Sequence, residues 1–425
     1  MEQPKVSVII PIYKSEAYLV QCLESVVRQS LKEMEILLVD EGDDDECWKI
    51  MQYYAGMDSR IVCIHARHGG YGASVNAGIA ISRGKYIGIV EADDYIEKNM
   101  YEKMFSVAEH HSADVVKCNY NDYVDQNDEF SFKKYPYFAS EKIMHHVPVD
   151  KIFAARDFPM VFAFHPSIWS CLYKRQYLLE HNIKFHLDRG IYLDTMFRFQ
   201  TFLNTDRMVY INNYFYNYRI QAKGSTTETW HLKDAIRRWS EVHTWFAQQG
   251  REGLFQSIKR YCLKEEYVMT LRHYVCEEHA ISQETLALMR NNILCYDDPS
   301  IMENMLFTNL EKRIIHLFKN GLIKKFEKLK KYVKFNNNYY MLRKKRLQNR
   351  LYLFFIVSTM SFLVCYGLDG MTQEKAFYTV TVIWIKDFFR FCGFLASAGF
   401  FYLVVELAAL LIKRKKTLIL QNNPV

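Results

Sequence analysis

The order of apolar and polar positions divides the chain into stretches of different character. Over the first hundred residues, short apolar runs alternate with amphipathic segments. Val6–Ile12 (V-S-V-I-I-P-I) and Tyr86–Val90 carry so little polar content that they read as buried strands of a parallel sheet, and Glu35–Val39 and Arg60–His65 read as further strands. Between them lie Ser15–Gln29, Cys47–Ala55 and Ala73–Ser82. In the first of these Leu19, Cys22, Leu23, Val26 and Val27 recur at helical spacing, as in a helix that covers one face of a sheet. His68–Tyr71 is a Gly-rich loop. Strands and helices joined by short connections imply right-handed crossovers and an α/β fold with a mostly parallel, Rossmann-like sheet.

Further on the pattern weakens. It predicts a helix at Tyr101–His110, a strand at Asp114–Asn119, a loop through Phe130–Tyr137, and strands at Arg207–Asn213 and Tyr214–Arg219. Trp169 and Tyr173 stand four residues apart, a helical spacing compatible with core packing as well as with an exposed Trp169 stacking on a ring-shaped ligand. Trp239 falls in line with Ile236, His243 and Phe246 and reads as core. Beyond Gly250, helices are predicted at 254–275, 283–294 and 311–335. The last sets Ile315, Phe318, Leu322, Phe326, Leu329 and Val333 on one face with lysines mostly elsewhere, the form of a basic helix lying in a membrane interface. A helix packed on the folded domain with a solvated basic face is the other reading. Two apolar runs close the chain, 351–367 and 391–412, with basic clusters before the first and after the second. Their lengths and flanks predict a transmembrane hairpin with both ends in the cytoplasm, against the alternative of a buried hairpin in a soluble dimer.

Composition narrows the setting. With 425 residues, half of them hydrophobic, there is material for two or three domains. An aromatic content of 15% with a net charge of +7 points to a membrane surface rather than to nucleic acid. The ten cysteines contain no C-x-x-C pair, which suits free thiols in a reducing compartment and argues against a disulfide framework or a zinc site. The opening M-E-Q-P-K-V has no apolar signal segment, so the folded part is expected in the cytoplasm.

The candidate chemistry gathers where the strands end. Tyr86–Val90 runs straight into Glu91, Asp93 and Asp94, and Glu35–Val39 into Asp40, Glu41, Asp43, Asp44 and Asp45. In an open α/β sheet, ligands bind at the carboxyl ends of the strands. Three carboxylates within four positions repel one another unless a cation shares them, and hard oxygen ligands suit Mg2+ or Mn2+. A turn after a strand is the plain alternative.

These residues carry a resemblance. The series V-S-V-I-I-P-I-Y, L-L-V-D-E-G and S-V-N-A-G-I-A-I-S-R-G-K-Y-I-G-I-V-E-A-D-D-Y resembles the nucleotide-sugar-binding half of family 2 glycosyltransferases, closely over about the first 100 residues and more weakly to about residue 230. The resemblance implies a nucleotide-diphospho-sugar transferase (GT-A) domain at 1–230, with a donor half at 1–100 and an acceptor half at 101–230. A helical extension at 231–341 and a membrane anchor at 342–425 would follow. It implies that the backbone at Pro11 and Tyr13 flanks the base, that Asp40 or Glu41 hydrogen-bonds it, and that Asn76 orders the loop over the ribose. Glu91 and Asp93 would contact the donor, with Asp93 and Asp94 holding the divalent cation. Trp169 and Arg219 would lie on the acceptor side, with Arg219 or Lys223 contacting phosphate. The run G-I-Y-L-D-T-M-F-R-F-Q resembles the family's second acidic signature and makes Asp194 the candidate general base; a helix N-cap is its plain alternative. Three positions depart from the pattern: Glu91 and Glu41 stand where Asp is usual, and Leu193 where Glu or Gln is. Arg238 and Trp239 echo the Q-x-x-R-W of processive synthases, but Ala235 replaces the glutamine.

The expected activity is transfer of a single sugar, with inversion, to a glycan or lipid-linked acceptor at the cytoplasmic face of a membrane. A donor-binding protein without catalysis and a nucleotidyltransferase are the rivals, the latter weakened by the lack of a Gly-rich phosphate loop at the first strand.

Overall fold

The computed structural model describes residues 3–42, 45–66, 69–126, 129–133, 146–187, 192–220, 232–248, 250–276, 282–296, 298, 301, 307–322 and 324–331. The strand-helix rhythm of the first hundred residues is realised as β1 (Val6–Ile12), α1 (Leu19–Val27), β2 (Met34–Asp40), α2 (Asp45–Met57), β3 (Ile61–His65), α3 (Tyr71–Ile81) and β4 (Tyr86–Ile89). Every residue of β1, β2 and β4 is buried, the signature of parallel strands covered on both faces. The chain continues through β5 (Tyr95–Ile96), α4 (Met100–His111), β6 (Val115–Gln126), β7 (Glu129–Lys133), β8 (Ile152–Phe153), β9 (Cys171–Lys174), α5 (Arg175–Glu180), α6 (Leu193–Leu203) and β10 (Met208–Ile220).

One ten-stranded sheet results, with the order β3-β2-β1-β4-β9-β6-β10-β5 along its main path. The long ladders β1–β2, β2–β3, β1–β4 and β6–β10 are parallel. Short β9 runs antiparallel to both β4 and β6 and splices the two parallel halves. At the amino end of the sheet, buried Glu35 accepts from the Ser7 hydroxyl and from the Gly84 N–H (3.2 Å), and its second oxygen pairs with Arg83 Nε (2.9 Å). This carboxylate ties the turn before β4 to β1 and β2.

Two expectations are corrected. Phe130–Lys133, part of the stretch expected as loop, belongs to β7 and pairs antiparallel with β6; an alternating E-F-S-F-K run needs only a partner strand to become one. The Trp169–Tyr173 spacing, compatible with a helix, belongs to the turn and strand at β9, where both side chains are buried without any helical face.

A helical layer follows: α7 (Leu232–Gln248), α8 (Glu252–Glu266), a π-helical turn at Tyr267–Leu271, α9 (Arg272–Cys276) and α10 (Gln283–Leu294). Trp239 is fully buried in α7, as its spacing predicts. The chain divides into two compact units, 1–274 with 278–306, and 275–277 with 307–425. In the second, α11 (Asn309–Lys319) begins with a capping box at Thr308 and Glu311, and 324–331 is helical again. The predicted continuous helix is interrupted because Gly321 takes a left-handed φ of 64°, a stop that glycine adopts without strain. Ile315, Phe318 and Phe326 of its apolar face are buried. Among the described residues no helix is long and apolar enough to cross a membrane; the predicted spans 351–367 and 391–412 lie outside them.

The packing of β4 on α4 yields a test. A Cβ at Gly88 would sit 2.7 Å from Tyr101 Cζ and against its hydroxyl, in a core where Tyr101 is fully buried. Gly88→Ala should destabilise the fold by about 1–3 kcal/mol, as overpacking does. Removing the hydroxyl with Tyr101→Phe in the same chain should recover part of the loss. Urea midpoints of the two variants measure this, and an undiminished midpoint for Gly88→Ala would refute the packing.

Candidate active site

The parallel register delivers the sequence-predicted residues to one edge. Ile12 lies opposite Asp40, and the Glu41 N–H donates to the Ile12 carbonyl at 2.9 Å. The Val90 N–H reaches the Ile9 carbonyl at 3.0 Å, so the β4 carboxylates emerge beside β1. Pro11 is buried in β1, and Tyr13, just past its end, is 57% exposed. Asp40 is buried; its Oδ1 accepts from the Gly42 N–H (3.1 Å) and its Oδ2 lies 3.1 Å from His65 Nδ1. The His65 ring stacks on Trp48 with centroids 4.3 Å apart. Glu41 is half-buried, and burial with the adjacent Asp40 charge raises its carboxyl above the ordinary value.

Around the end of β4 the carboxylates are held by neutral donors. The Tyr71 hydroxyl donates to Glu91 Oε1 at 2.7 Å. The Tyr216 hydroxyl accepts from the Glu91 N–H (3.0 Å) and donates to Asp94 Oδ2 (2.8 Å), while Asp94 Oδ1 accepts from the Arg219 N–H at 2.7 Å. Burial first, then the Asp93, Asp194 and Glu41 charges, pushes Glu91 up to about 8 against the pull of the Tyr71 hydrogen bond. Asp93 and Asp94 are raised as well, each mainly by burial. Glu41 and Asp194 also act on Tyr71. Residues spread over 150 positions of sequence therefore share one electrostatic environment.

Asp194 reaches this edge on α6. It lies in the first turn, two residues past the N-cap, Tyr192, which is in a left-handed conformation with φ 62°. Asp194 Oδ1 accepts from the Thr195 N–H at 2.9 Å. Burial raises its carboxyl, opposed chiefly by the Arg198 guanidinium. Asn76 bonds the chain that leads to α6. Its amide donates to the Phe185 carbonyl (2.8 Å) and accepts from the Phe185 N–H (2.9 Å), as a neighbouring strand would. Phe185 stacks on Phe197 of α6 with centroids 4.2 Å apart, so Asn76 anchors the approach to the helix that carries Asp194.

The acceptor-side candidates are packed inward. Trp169 is 6% exposed and stacks on Tyr216 (4.1 Å) and Tyr218 (5.3 Å), with Tyr120 edge-on at 5.0 Å. It is the floor of an aromatic wall, and half-exposed Tyr120, Tyr218 and His165 form the rim. Arg219 is buried; its Nε donates to the Asp93 carbonyl (2.8 Å), it bonds Gln21, and it lies over the Tyr18 and Tyr123 rings. Lys223 is outside the described residues. Sequence reasoning missed Tyr71 and Tyr216. The alternation in Y-F-Y-N-Y-R, which puts Tyr216 and Tyr218 on one strand face, was a signal for the second.

For a divalent cation the fit is partial. No group of three His, Cys, Asp or Glu side chains among the described residues is arranged to hold a metal. Asp94, expected as a ligand, is 1% exposed and has both oxygens engaged by Tyr216 and Arg219. Asp93 retains partial exposure. One carboxylate plus phosphate oxygens and water is a usual Mg2+ environment, so this edge suits a cation that arrives with a diphosphate rather than a permanent protein cage. A separate pocket of about 580 Å³, lined by Asp114, Arg156, Asp206, Arg207 and Arg251 among others, lies where β6 and β10 begin, at the opposite end of those strands.

Comparison with known proteins agrees with this fold. The family profile for glycosyl transferase family 2 matches residues 7–165. The chain is 30% identical over 225 residues to the uncharacterized glycosyltransferase EpsJ of Bacillus subtilis, covering 53% of this chain and 63% of EpsJ. It is 29% identical over 227 residues to glycosyltransferase GlyA of Streptococcus pneumoniae, covering 53% of this chain and 32% of GlyA. The chain thus spans less than two thirds of either relative. The crystal structure of S. aureus TarS 1-349 in complex with UDP-GlcNAc superposes with a TM-score of 0.63 at 16% identity, covering 78% of this chain and 92% of that one, and shares the fold.

The crowding of Glu91 has a pH consequence. An unfolded chain releases a Glu proton in the ordinary carboxylate range, whereas the folded chain keeps it up to about pH 8. The folded state therefore binds more protons across that window, and this group's contribution to stability falls as the pH rises through it. In EDTA, Glu91→Gln should melt above the unaltered protein at pH 8, and the gain should shrink toward pH 5. An equal difference at both pH values would contradict the crowding.

Proposed function

Because residues 7–165 belong to glycosyltransferase family 2, we propose that this chain transfers a single sugar from a nucleoside diphosphate sugar to an acceptor hydroxyl, with inversion at the anomeric carbon. The observation that carries the reading is the meeting of Asp194, from a helix in the second half of the chain, with Glu91 past the end of β4 and Tyr71 at the start of α3.

In this reading the base lies along Pro11 and Tyr13 and is read by Asp40 or Glu41, the carboxylates that β2 brings to the same edge. The TarS complex with UDP-GlcNAc makes a uridine donor the first to try. Asp93 holds a Mg2+ or Mn2+ brought by the pyrophosphate, whose charge would stabilise the departing diphosphate when bound. Glu91 contacts the donor sugar and is oriented by Tyr71. Asp94 acts as scaffold, pinning Tyr216 and Arg219 so that the aromatic wall over Trp169 faces the acceptor. Asp194 takes the proton of the attacking hydroxyl on the side opposite the leaving group. Its burial raises its proton affinity toward working pH, as a general base requires.

The acceptor in this proposal is a glycan or a lipid-linked glycan of surface polysaccharide or cell-envelope synthesis. An enzyme held at the cytoplasmic face by the apolar runs 351–367 and 391–412 would meet such an acceptor in two dimensions.

Asp194→Asn tests the assignment. The variant should keep its melting temperature within a few degrees and keep nucleotide affinity, but lose about a hundredfold to ten-thousandfold in release of nucleoside diphosphate from a panel of sugar donors with Mn2+. Near-normal turnover in the folded variant would remove Asp194 from the chemistry. Nucleotide binding without turnover in the unaltered protein would favour a donor-binding protein that has lost catalysis.

A further inference from the structure

One turn beyond Asp194 on α6 lies Arg198, 2% exposed. Its Nη2 donates to Glu265 Oε2 at 2.6 Å, and Glu265, at the end of α8, is equally withdrawn from water. Arg198 Nε and Nη1 and Glu265 Oε1 have no hydrogen-bond partner among the described residues. The guanidinium instead lies over the rings of Phe199 (4.9 Å) and Phe162 (5.6 Å). An ion pair removed from water and only partly hydrogen-bonded is a poor device for stability alone, since apolar side chains of similar volume fill such a site at least as well.

Its surroundings point to a purpose. Glu265 stands where α8 passes into the π-helical turn Tyr267–Leu271, a rare geometry that recurs at functional positions. The next residue, Glu266, has its Oε2 2.9 Å from His243 Nε2 of α7 and accepts from the Tyr296 hydroxyl at 2.8 Å, just past the end of α10. Three helical segments of the layer converge behind the helix that carries Asp194.

We propose that the Arg198–Glu265 pair is the positioning element for Asp194, through which the helical layer of α7, α8 and α10 acts on the reacting edge. This rests on Asp194 as the general base. Among the described residues Arg198 on its own helix and Arg238 from α7 act on Asp194, and Asp194 acts in turn on Glu265 from α8, Glu91 from the end of β4 and Tyr71 from α3. Lys117 and His165 feel the Arg198 charge in turn. Arg198 favours the ionised form of Asp194 and Glu265 opposes it, so Glu265 divides the guanidinium's attraction between two carboxylates. Removing the Glu265 charge leaves that attraction to Asp194; removing both charges takes away the larger influence, that of Arg198.

The two changes should therefore move Asp194 in opposite directions, which loss of structural support alone would not do. The test follows the 13Cγ resonance of Asp194 in the full chain labelled with [13C]aspartate, assigned by its absence in Asp194→Asn. Relative to the unaltered protein, Glu265→Gln should lower the titration midpoint by about one pH unit, and the paired substitution Arg198→Met with Glu265→Met, which keeps the core filled, should raise it by about as much. Midpoints unmoved in both folded variants, or moved in the same direction, overturn the proposal. Because this readout needs no donor or acceptor, it stands apart from the turnover of Asp194→Asn. Opposite shifts alongside normal turnover in that variant would uphold the electrostatic coupling and overturn the role as base. Inactivity of Asp194→Asn with unmoved midpoints would uphold the base and overturn the positioning pair.

Discussion

The hydroxyl of Tyr216 is the bond on which the rest of the site depends. It accepts from the backbone of Glu91 and donates to the carboxylate of Asp94, while the ring of the same residue stacks on Trp169. One side chain thus joins the end of β4, which carries the donor-side acids, to β10 and to the aromatic wall across the sheet. Neutral donors matter here because the acids at this edge repel one another. Tyr71 and Tyr216 satisfy carboxylate oxygens and backbone groups without neutralising them, so the edge stays short of positive charge and suited to a cation that arrives with a diphosphate. Arg219 brings one positive charge to this edge, where it lowers the proton affinity of Asp93 while bonding the Asp93 carbonyl, Gln21 and, through its backbone, Asp94.

The second half of the chain is held against the first by polar clamps rather than by apolar packing alone. Asn76 pairs with both backbone groups of Phe185 across 109 residues, and Phe185 stacks on α6. Arg198 fastens the same helix to α8 from behind. Asp194 is therefore fixed from two sides, consistent with a base that has to meet an attacking hydroxyl in a narrow range of orientations.

Much of the first hundred residues was legible in the sequence because β1, β2 and β4 are buried on both faces and read as apolar runs, with acids past the ends of β2 and β4 where the chain leaves the sheet. Asp194 was singled out by the resemblance of G-I-Y-L-D-T-M-F-R-F-Q to a family signature together with its apolar neighbours, and its role is part of the proposal. What escaped was non-local. The four-residue spacing of Trp169 and Tyr173 fits a helix as well as the turn and strand it forms at β9, and pairing with β4 and β6 decided between them. Adjacent Asp93 and Asp94 look equivalent as letters, yet the turn after β4 leaves Asp93 partly exposed and buries Asp94 against the hydroxyl of Tyr216, 122 positions away. Nothing near Glu265 in sequence announces Arg198, 67 residues earlier.

The claim at the centre of this account is that the strand-end acids receive a nucleoside diphosphate through a divalent cation. Calorimetric titration of the full chain with UDP, GDP, CDP and dTDP, in Mn2+ and again in EDTA, measures it most directly. The account predicts saturable one-to-one binding of at least one of them in Mn2+, lost in EDTA and lost with Asp93→Asn. Equal affinity with and without the metal, or no binding by any of the four, would contradict it.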